Sequence, residues 1–369
     1  MPRAAVCPGI DQPLEVVDVD LDAPKAGEVL VRMGASGVCH SDLSVQNGTL
    51  LAPLPSVLGH EGAGIVESVG EGVSSVKEGD HVVLSFVPQC GACYFCAHDQ
   101  PQLCETGFLP MATGSLLDLT PRFSRGGSPL NQMSALGTFS EQLVTLEMSM
   151  VKIDSDIPLS SAALIGCGVL TGFGAAVNTA SIRRGDSVAV IGCGGVGLNV
   201  IQGAVHAGAE RIIAVDMFDA KLDMARAFGA TDVVNPSSGD ATDQVRELTA
   251  GRGVDVAFEV IGLKSTTEQA FAMARRGGQA VIVGVPKMEQ ILEIPIAMEL
   301  LVNEKQVRGC WYGSSDVRRD IPQLISLYQS GSLKLDELIS RRIGLEEVNE
   351  AFRAMEAGEV ARSVIEYDL

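Results

Sequence analysis

The sequence predicts an α/β protein in which a mostly-β region is joined to a doubly wound parallel sheet. Three observations carry this prediction. Residues 1 to about 165 are short β-rich runs separated by Gly, Pro and Asp turns. From about residue 185 the rhythm changes to strand, helix, strand, which requires parallel strands joined by right-handed crossovers. The apolar run Val188–Ile191, followed at once by Gly-Cys-Gly-Gly-Val-Gly, marks the start of that second region.

The β-rich runs are Val29 to Met33, Gly64 to Val69 and His81 to Phe86, with Pro24, Gly79 and Asp80 among the turn residues. In the second region, strands are expected at Val188–Ile191, Arg211–Val215, Val233–Val234, Val254–Val260 and Ala280–Val285. Helices are expected after Gly195, near 220–228, near 240–250 and at 265–276. The chain from about 312 reads as a return to the first region, ending in a helix over 346–356 and a strand over 362–367. The expected domains are therefore 1–168 with 312–369, and 169–311.

Length and composition agree with two packed domains. The chain has 369 residues, 46% of them apolar, which is enough to offset the chain entropy that leaves polar sequences disordered. The formal charge of −19 excludes nucleic acid and anionic membrane surfaces as expected partners. The longest apolar stretch, Ala162 to Val177, is shorter than the ~20 residues of a membrane span. With no signal-peptide pattern at the N-terminus, a cytoplasmic location is expected.

Nine cysteines suit that compartment as thiols. Cys90, Cys93, Cys96 and Cys104 are spaced so that all four can converge on one tetrahedral ion. A closed four-thiolate site has no open coordination position, so a zinc ion there would brace a loop poor in packing residues. A redox or disulfide cluster is the alternative.

The glycine motif has its context on both sides. A strand ends at Ile191, a helix begins near Gly195, and Asp216 stands 19 residues after Gly197 at the end of the next strand. Gly192, Gly194, Gly195 and Gly197, with Val196, let backbone N–H groups approach a pyrophosphate at a helix N-terminus. Asp216 would accept hydrogen bonds from an adenosine ribose and repel a 2′-phosphate, so NAD is expected over NADP. A second donor set comprises Cys39, His60 and Cys167. Two thiolates and one imidazole leave a coordination position open, and zinc there acts as a Lewis acid toward an alcohol oxygen before hydride leaves the carbon. Ser41 is placed to relay the proton. Taken singly, these residues also read as a small buried hydrophobe or a satisfied core histidine.

In combination, the stretches Gly37 to Asp42, Gly59 to Gly64, Cys90 to Cys104, Gly166 to Gly168 and Gly192 to Gly197 resemble the zinc-dependent medium-chain alcohol dehydrogenases, over essentially the whole chain. The resemblance implies a GroES-like, mostly-β catalytic domain and a Rossmann coenzyme domain, with two zinc ions per chain and NAD. It implies Cys39, His60 and Cys167 as catalytic zinc ligands, Glu61 as a carboxylate beside the metal, and Asp42 as the acid that holds the His60 ring. It also implies coenzyme contacts from His40, Lys221, Val285 and Arg362, and a proton relay through Ser41. The sequence departs from many relatives at Ser44, where they carry a relay histidine. It departs from the class III-like branch, which oxidises S-(hydroxymethyl)glutathione, at Leu50, Ala52 and Phe108, where charged residues are expected. A pocket lined by Leu50, Phe86, Leu103, Leu109, Val285 and Trp311 cannot satisfy a charged tripeptide end. The expected reaction is thus reversible oxidation of apolar primary alcohols, whether aryl, allylic or medium-chain. Thiol-adduct formaldehyde oxidation, polyol oxidation, a non-exchanging coenzyme and a catalytically idle NAD-binding protein are the alternatives. The 62 residues between Cys104 and Cys167 resemble the long-loop members and imply a homodimer.

Overall fold

The computed structural model describes residues 1–368 and divides them into two compact units, 1–168 with 316–368, and Val169–Ser315. The second unit ends at Ser315, whereas its expected end is residue 311. The cause is local: Gly313 O accepts a hydrogen bond from Asn178 Nδ2 at 3.2 Å, and Ser314 Oγ lies 2.8 Å from Thr179 Oγ1, which holds this turn to the second unit's own helix.

The first unit is built on a seven-stranded sheet in the order Met150–Ile153, His81–Leu84, Glu61–Val69, Glu28–Val38, Arg362–Glu366 and Ile339–Ile343, with Gln142–Leu146 also paired to Glu28–Val38. A six-stranded sheet containing Arg3–Cys7 and Ser128–Gln132 accompanies it. Val29, Val31 and Met33 alternate inward along their strand and pack with Val66, Val82 and Leu143, all essentially inaccessible to water. Burial of one such side chain is worth roughly 1.5–3 kcal/mol, so this cluster fixes the strand register. The register in turn sets Gly37 opposite Glu61 at the sheet end.

The second unit is a parallel sheet in the order Asp232–Val234, Arg211–Val215, Ser187–Ile191, Val254–Glu259, Ala274–Ile282 and Gln306–Gly309. The strand order reverses at Ser187–Ile191, the switch point where open α/β sheets bind ligands. Two expected elements differ by three residues or more. The helix expected at 265–276 ends at Met273, and the strand expected at Ala280–Val285 runs Ala274–Ile282. Val283 and Gly284 turn away because both N–H groups donate to Glu259 O, at 2.9 and 3.0 Å.

The apolar segment is also longer than its composition suggests. Leu159–Thr179 forms a 21-residue helix, long and apolar enough to cross a membrane, but 89% of its apolar window is buried within the protein. It serves as a core helix. A single-turn π segment, Ile165–Val169, interrupts it and another, Ala175–Thr179, ends it, and such π turns are frequent at functional sites.

Candidate active site

The first donor set is built from three short elements. Strand Glu28–Val38 ends at Cys39, and helix His40–Gln46 returns Asp42 toward it, so that the Asp42 carboxylate accepts the Cys39 N–H at 2.9 Å. The same carboxylate accepts the Gly59 N–H at 3.2 Å and lies 2.9 Å from His60 Nδ1. Gly59 has φ +92, and a Cβ there would sit 2.5 Å from the Phe139 nitrogen, so only glycine lets the chain turn here. Asp42 occupies Nδ1 and leaves the opposite ring nitrogen, Nε2, to bind a metal. Cys167 arrives on the π segment of the long helix. That helix packs so closely on the sheet that a Cβ at Gly166 would lie 2.3 Å from Leu84 O.

One ligand atom each from Cys39, His60, Glu61 and Cys167 lies within 4.8 Å of all the others, and all four residues are buried. Ser41 Oγ is 3.9 Å from Cys39 Sγ. Glu61 accepts the Gly168 N–H at 3.1 Å and pairs with Arg362 at 3.3 Å through Oε1, while its Oε2 is buried without a hydrogen-bond partner.

The electrostatics favour a bound cation. The Cys167 hydrogen bond pulls the Cys39 thiol well below its ordinary range, with help from Arg362 and His60, against the effect of burial. That same hydrogen bond, reinforced by burial, pushes Cys167 up. Burial pushes Glu61 up to about 7 despite Arg362. Burial opposes charge on His60, but Asp42's charge and hydrogen bond prevail and hold the ring well above its usual value. A buried thiolate, an oriented imidazole and an orphaned carboxylate oxygen are the chemistry a divalent zinc satisfies, so the residues fit the group.

The second donor set is the lobe of Cys90, Cys93, Cys96 and Cys104, whose sulfurs also lie within 4.8 Å of one another. Cys90 and Cys96 sulfurs are 4.0 Å apart and those of Cys93 and Cys104 3.9 Å. Tetrahedral zinc with bonds near 2.3 Å places sulfurs about 3.8 Å apart, whereas a disulfide needs about 2.05 Å. All nine cysteines are unpaired. Burial works against charge at Cys90, yet hydrogen bonds from Thr106, Ala92 and Cys93 bring its thiol down to about 6.

In the second unit, Gly192 has φ +99, and a Cβ on Gly197 would lie 1.8 Å from Gly192 O. A Cβ on Gly194 would meet nothing within 4 Å, so open space stands before helix Gly195–Ala207, with Val196 in its first turn. Asp216 accepts the Cys193 N–H at 2.9 Å and the Phe218 N–H at 3.0 Å, tying the glycine turn to the next strand. This cradle fits a dinucleotide. Lys221 Nζ lies 5.0 Å over the Phe218 ring.

The remaining candidates are dispersed. Phe86 meets His60 edge-on with centroids 5.5 Å apart. Leu50 packs against the core cluster of Leu43, Leu58 and Phe139. Leu103 lies in the turn before Cys104 and Leu109 on the exposed helix Glu105–Thr113. His40 opens its helix and is exposed, as are Val285 and Trp311 in the second unit. Two residues with no motif in the sequence, Ser36 and Thr138, reach the Glu61 carbonyl, and the Tyr367 hydroxyl holds the Thr138 carbonyl. No spacing could have signalled hydroxyls so far apart along the chain.

Comparison with known proteins agrees with this architecture. The alcohol dehydrogenase GroES-like domain matches residues 25–155, and the zinc-binding dehydrogenase family matches residues 195–330. The chain is 42% identical over 365 residues to an NDMA-dependent alcohol dehydrogenase of Amycolatopsis methanolica, covering 98% of each. It is 41% identical to an S-(hydroxymethyl)glutathione dehydrogenase of Haemophilus influenzae, over 99% of this chain and 97% of that one. The structure of benzyl alcohol dehydrogenase from Acinetobacter calcoaceticus superposes with a TM-score of 0.94 at 32% identity, over 100% of this chain and 99% of that one. The two donor sets, the glycine turn and these full-length likenesses place the chain in the zinc-dependent medium-chain alcohol dehydrogenase family, as one of its enzymes.

Proposed function

We propose that the protein oxidises apolar primary alcohols to aldehydes with NAD+ and catalyses the reverse reduction. The buried Cys39–His60–Cys167 set, faced by Phe86 edge-on to His60, carries this reading. Bound zinc would supply Lewis-acid polarisation of the alcohol oxygen, and bound NAD+ would accept the hydride. Cys39, His60 and Cys167 hold the metal, Asp42 fixes the imidazole, and the Cys90–Cys104 lobe binds the second zinc. Ser41 takes the hydroxyl proton outward, so the alcohol yields aldehyde, NADH and one proton. Arg362 orients Glu61, and Asp216 and Lys221 address the coenzyme ribose. The apolar ring of Phe86 beside His60 favours an uncharged substrate.

Nine unpaired cysteines support a reducing, cytoplasmic setting. A homodimer is supported by strand Gln306–Gly309, which is the sheet edge, exposed at all four residues including Val307 and preceded by exposed Ile296 and Leu301. Such an edge is a template for pairing with a second chain.

Two further readings have specific support. The similarity to an S-(hydroxymethyl)glutathione dehydrogenase favours a thiol-adduct substrate. The similarity to an NDMA-dependent enzyme favours a coenzyme that stays bound and is reoxidised by an external acceptor. Zinc-loaded protein is therefore assayed for NADH formation with benzyl alcohol, hexanol and S-(hydroxymethyl)glutathione. Turnover of the simple alcohols is the expected result, and preference for the glutathione adduct overturns the apolar-substrate reading. No NADH from any of them, with nicotinamide released on denaturation, favours the non-exchanging coenzyme.

A further inference from the structure

The Glu61 side chain has an evident partner in Arg362, but its main chain is also held by a buried network. Ser36 Oγ donates to Glu61 O at 2.8 Å and lies 2.6 Å from Thr138 Oγ1. Thr138 Oγ1 is itself 3.4 Å from Glu61 O. Each hydroxyl has one proton. If Ser36 donates to Glu61 O, Thr138 donates to Ser36, and the two form a directed chain ending on the ligand segment. The Thr138 N–H donates to Gly59 O at 3.0 Å and the Phe139 N–H to Leu58 O at 2.9 Å, so the 58–61 segment is gripped along its length. Thr138 O in turn accepts the Tyr367 hydroxyl at 2.7 Å. Ser36 and Thr138 are wholly buried.

Tyr367 directly follows strand Arg362–Glu366, and its N–H donates to Gly34 O at 3.1 Å. One C-terminal strand thus reaches Glu61 twice. Arg362, at one end, pairs with the Glu61 carboxylate. Tyr367, past the other end, holds the main chain of Thr138, whose hydroxyl with that of Ser36 reaches the Glu61 carbonyl.

We propose that Tyr367, Thr138 and Ser36 are positioning residues that hold the His60–Glu61 segment in metal-binding geometry. The proposal rests on Cys39, His60 and Cys167 being metal ligands, as proposed above. Buried hydroxyls aligned in sequence polarise one another, and an unsatisfied member costs the full desolvation of its group. Replacing one hydroxyl therefore lets the ligand segment shift while the sheet around it remains packed.

The test is zinc release from the two-zinc protein to a chromophoric chelator, followed without alcohol or nicotinamide. The Cys90–Cys104 zinc serves as the internal control. Thr138→Val and Tyr367→Phe are expected to release one zinc equivalent about tenfold faster or more, as for loss of an outer-shell partner. The second equivalent is expected to leave at the wild-type rate, and Thr138→Ser, which keeps the hydroxyl, to restore slow release of the first. Wild-type release of both equivalents from both variants overturns the proposal. So does equal acceleration of both, since that reads as general destabilisation. Cobalt substitution adds a second readout: the visible bands of the Cys39–His60–Cys167 site are expected to shift in Thr138→Val and not in Thr138→Ser. Because no substrate is used, failure of the alcohol assay leaves this result intact, and the two readings fail separately.

Discussion

Replacing Asp42 with asparagine separates what its charge contributes from what its shape contributes. The carboxylate accepts three hydrogen bonds, from Gly59 N–H and the His60 ring on Oδ1 and from Cys39 N–H on Oδ2. An amide keeps one oxygen. With that oxygen toward His60 and Gly59, its NH2 group faces the Cys39 N–H, donor against donor. A hydrogen bond to a charged group is worth about 1.5–3 kcal/mol, and leaving a buried donor unsatisfied costs about 1–3 kcal/mol. A net loss of roughly 2 kcal/mol lowers Tm by about 4–8 °C in a domain of this size. The metal is affected separately, because loss of an outer-shell carboxylate typically weakens binding about 10–100-fold. Asp42→Asn should therefore bind one zinc equivalent about 10–100-fold more weakly in chelator competition. The four-cysteine equivalent should remain unchanged. Zinc affinity within twofold of wild type at both sites would refute the argument that Asp42 orients His60.

Other regions give equally direct outcomes. Arg122 is fully buried and hydrogen-bonds Glu28 through Nε at 2.8 Å and Nη2 at 2.5 Å, with Asp118 at 3.0 Å. Arg122→Met leaves Glu28 buried and unpaired, so denaturant unfolding should show a loss of about 3–5 kcal/mol, much of it recovered in Glu28→Gln/Arg122→Met. Asp118 is held below its ordinary value of 3.8 by Lys25, Thr120 and Arg122, against burial, and Asp255 is lowered by Ser187 and Arg275, also against burial. The unfolded chain binds these protons more readily, so their stabilisation is present above about pH 4 and is lost as pH falls below it. Thermal melts between pH 6 and pH 3 should show Tm falling mainly at the acid end, and a flat profile would contradict the assignment. Gly197→Ala would put a Cβ 1.8 Å from Gly192 O. The glycine turn must then open, and calorimetry should show NAD binding weakened at least tenfold while both zinc equivalents remain.

Much of the site was legible because its chemistry is local. The four cysteines of one lobe lie within fifteen residues, and the strand, glycine turn and helix form one continuous segment ending at Asp216. Strand periodicity located most of the parallel sheet. Its failure at Ala280–Val285 has a specific cause, the two N–H groups taken by Glu259 O, which no propensity encodes. The pocket was the least legible part. Leu50 reads as pocket lining by position, yet it packs into a core of Leu43, Leu58 and Phe139, where burial of apolar surface gains more than exposure to a ligand.

The sequence by itself determined the donor types, their local spacing and the alternation that makes a doubly wound sheet, because these depend on neighbours a few residues apart. Tertiary structure alone decided which distant groups meet. Arg122 closes on Glu28 across 94 residues, Gly168 on Glu61 across 107, and Tyr367 on Thr138 across 229. Such contacts follow from strand register and helix packing, where one slipped residue turns every side chain to the opposite face.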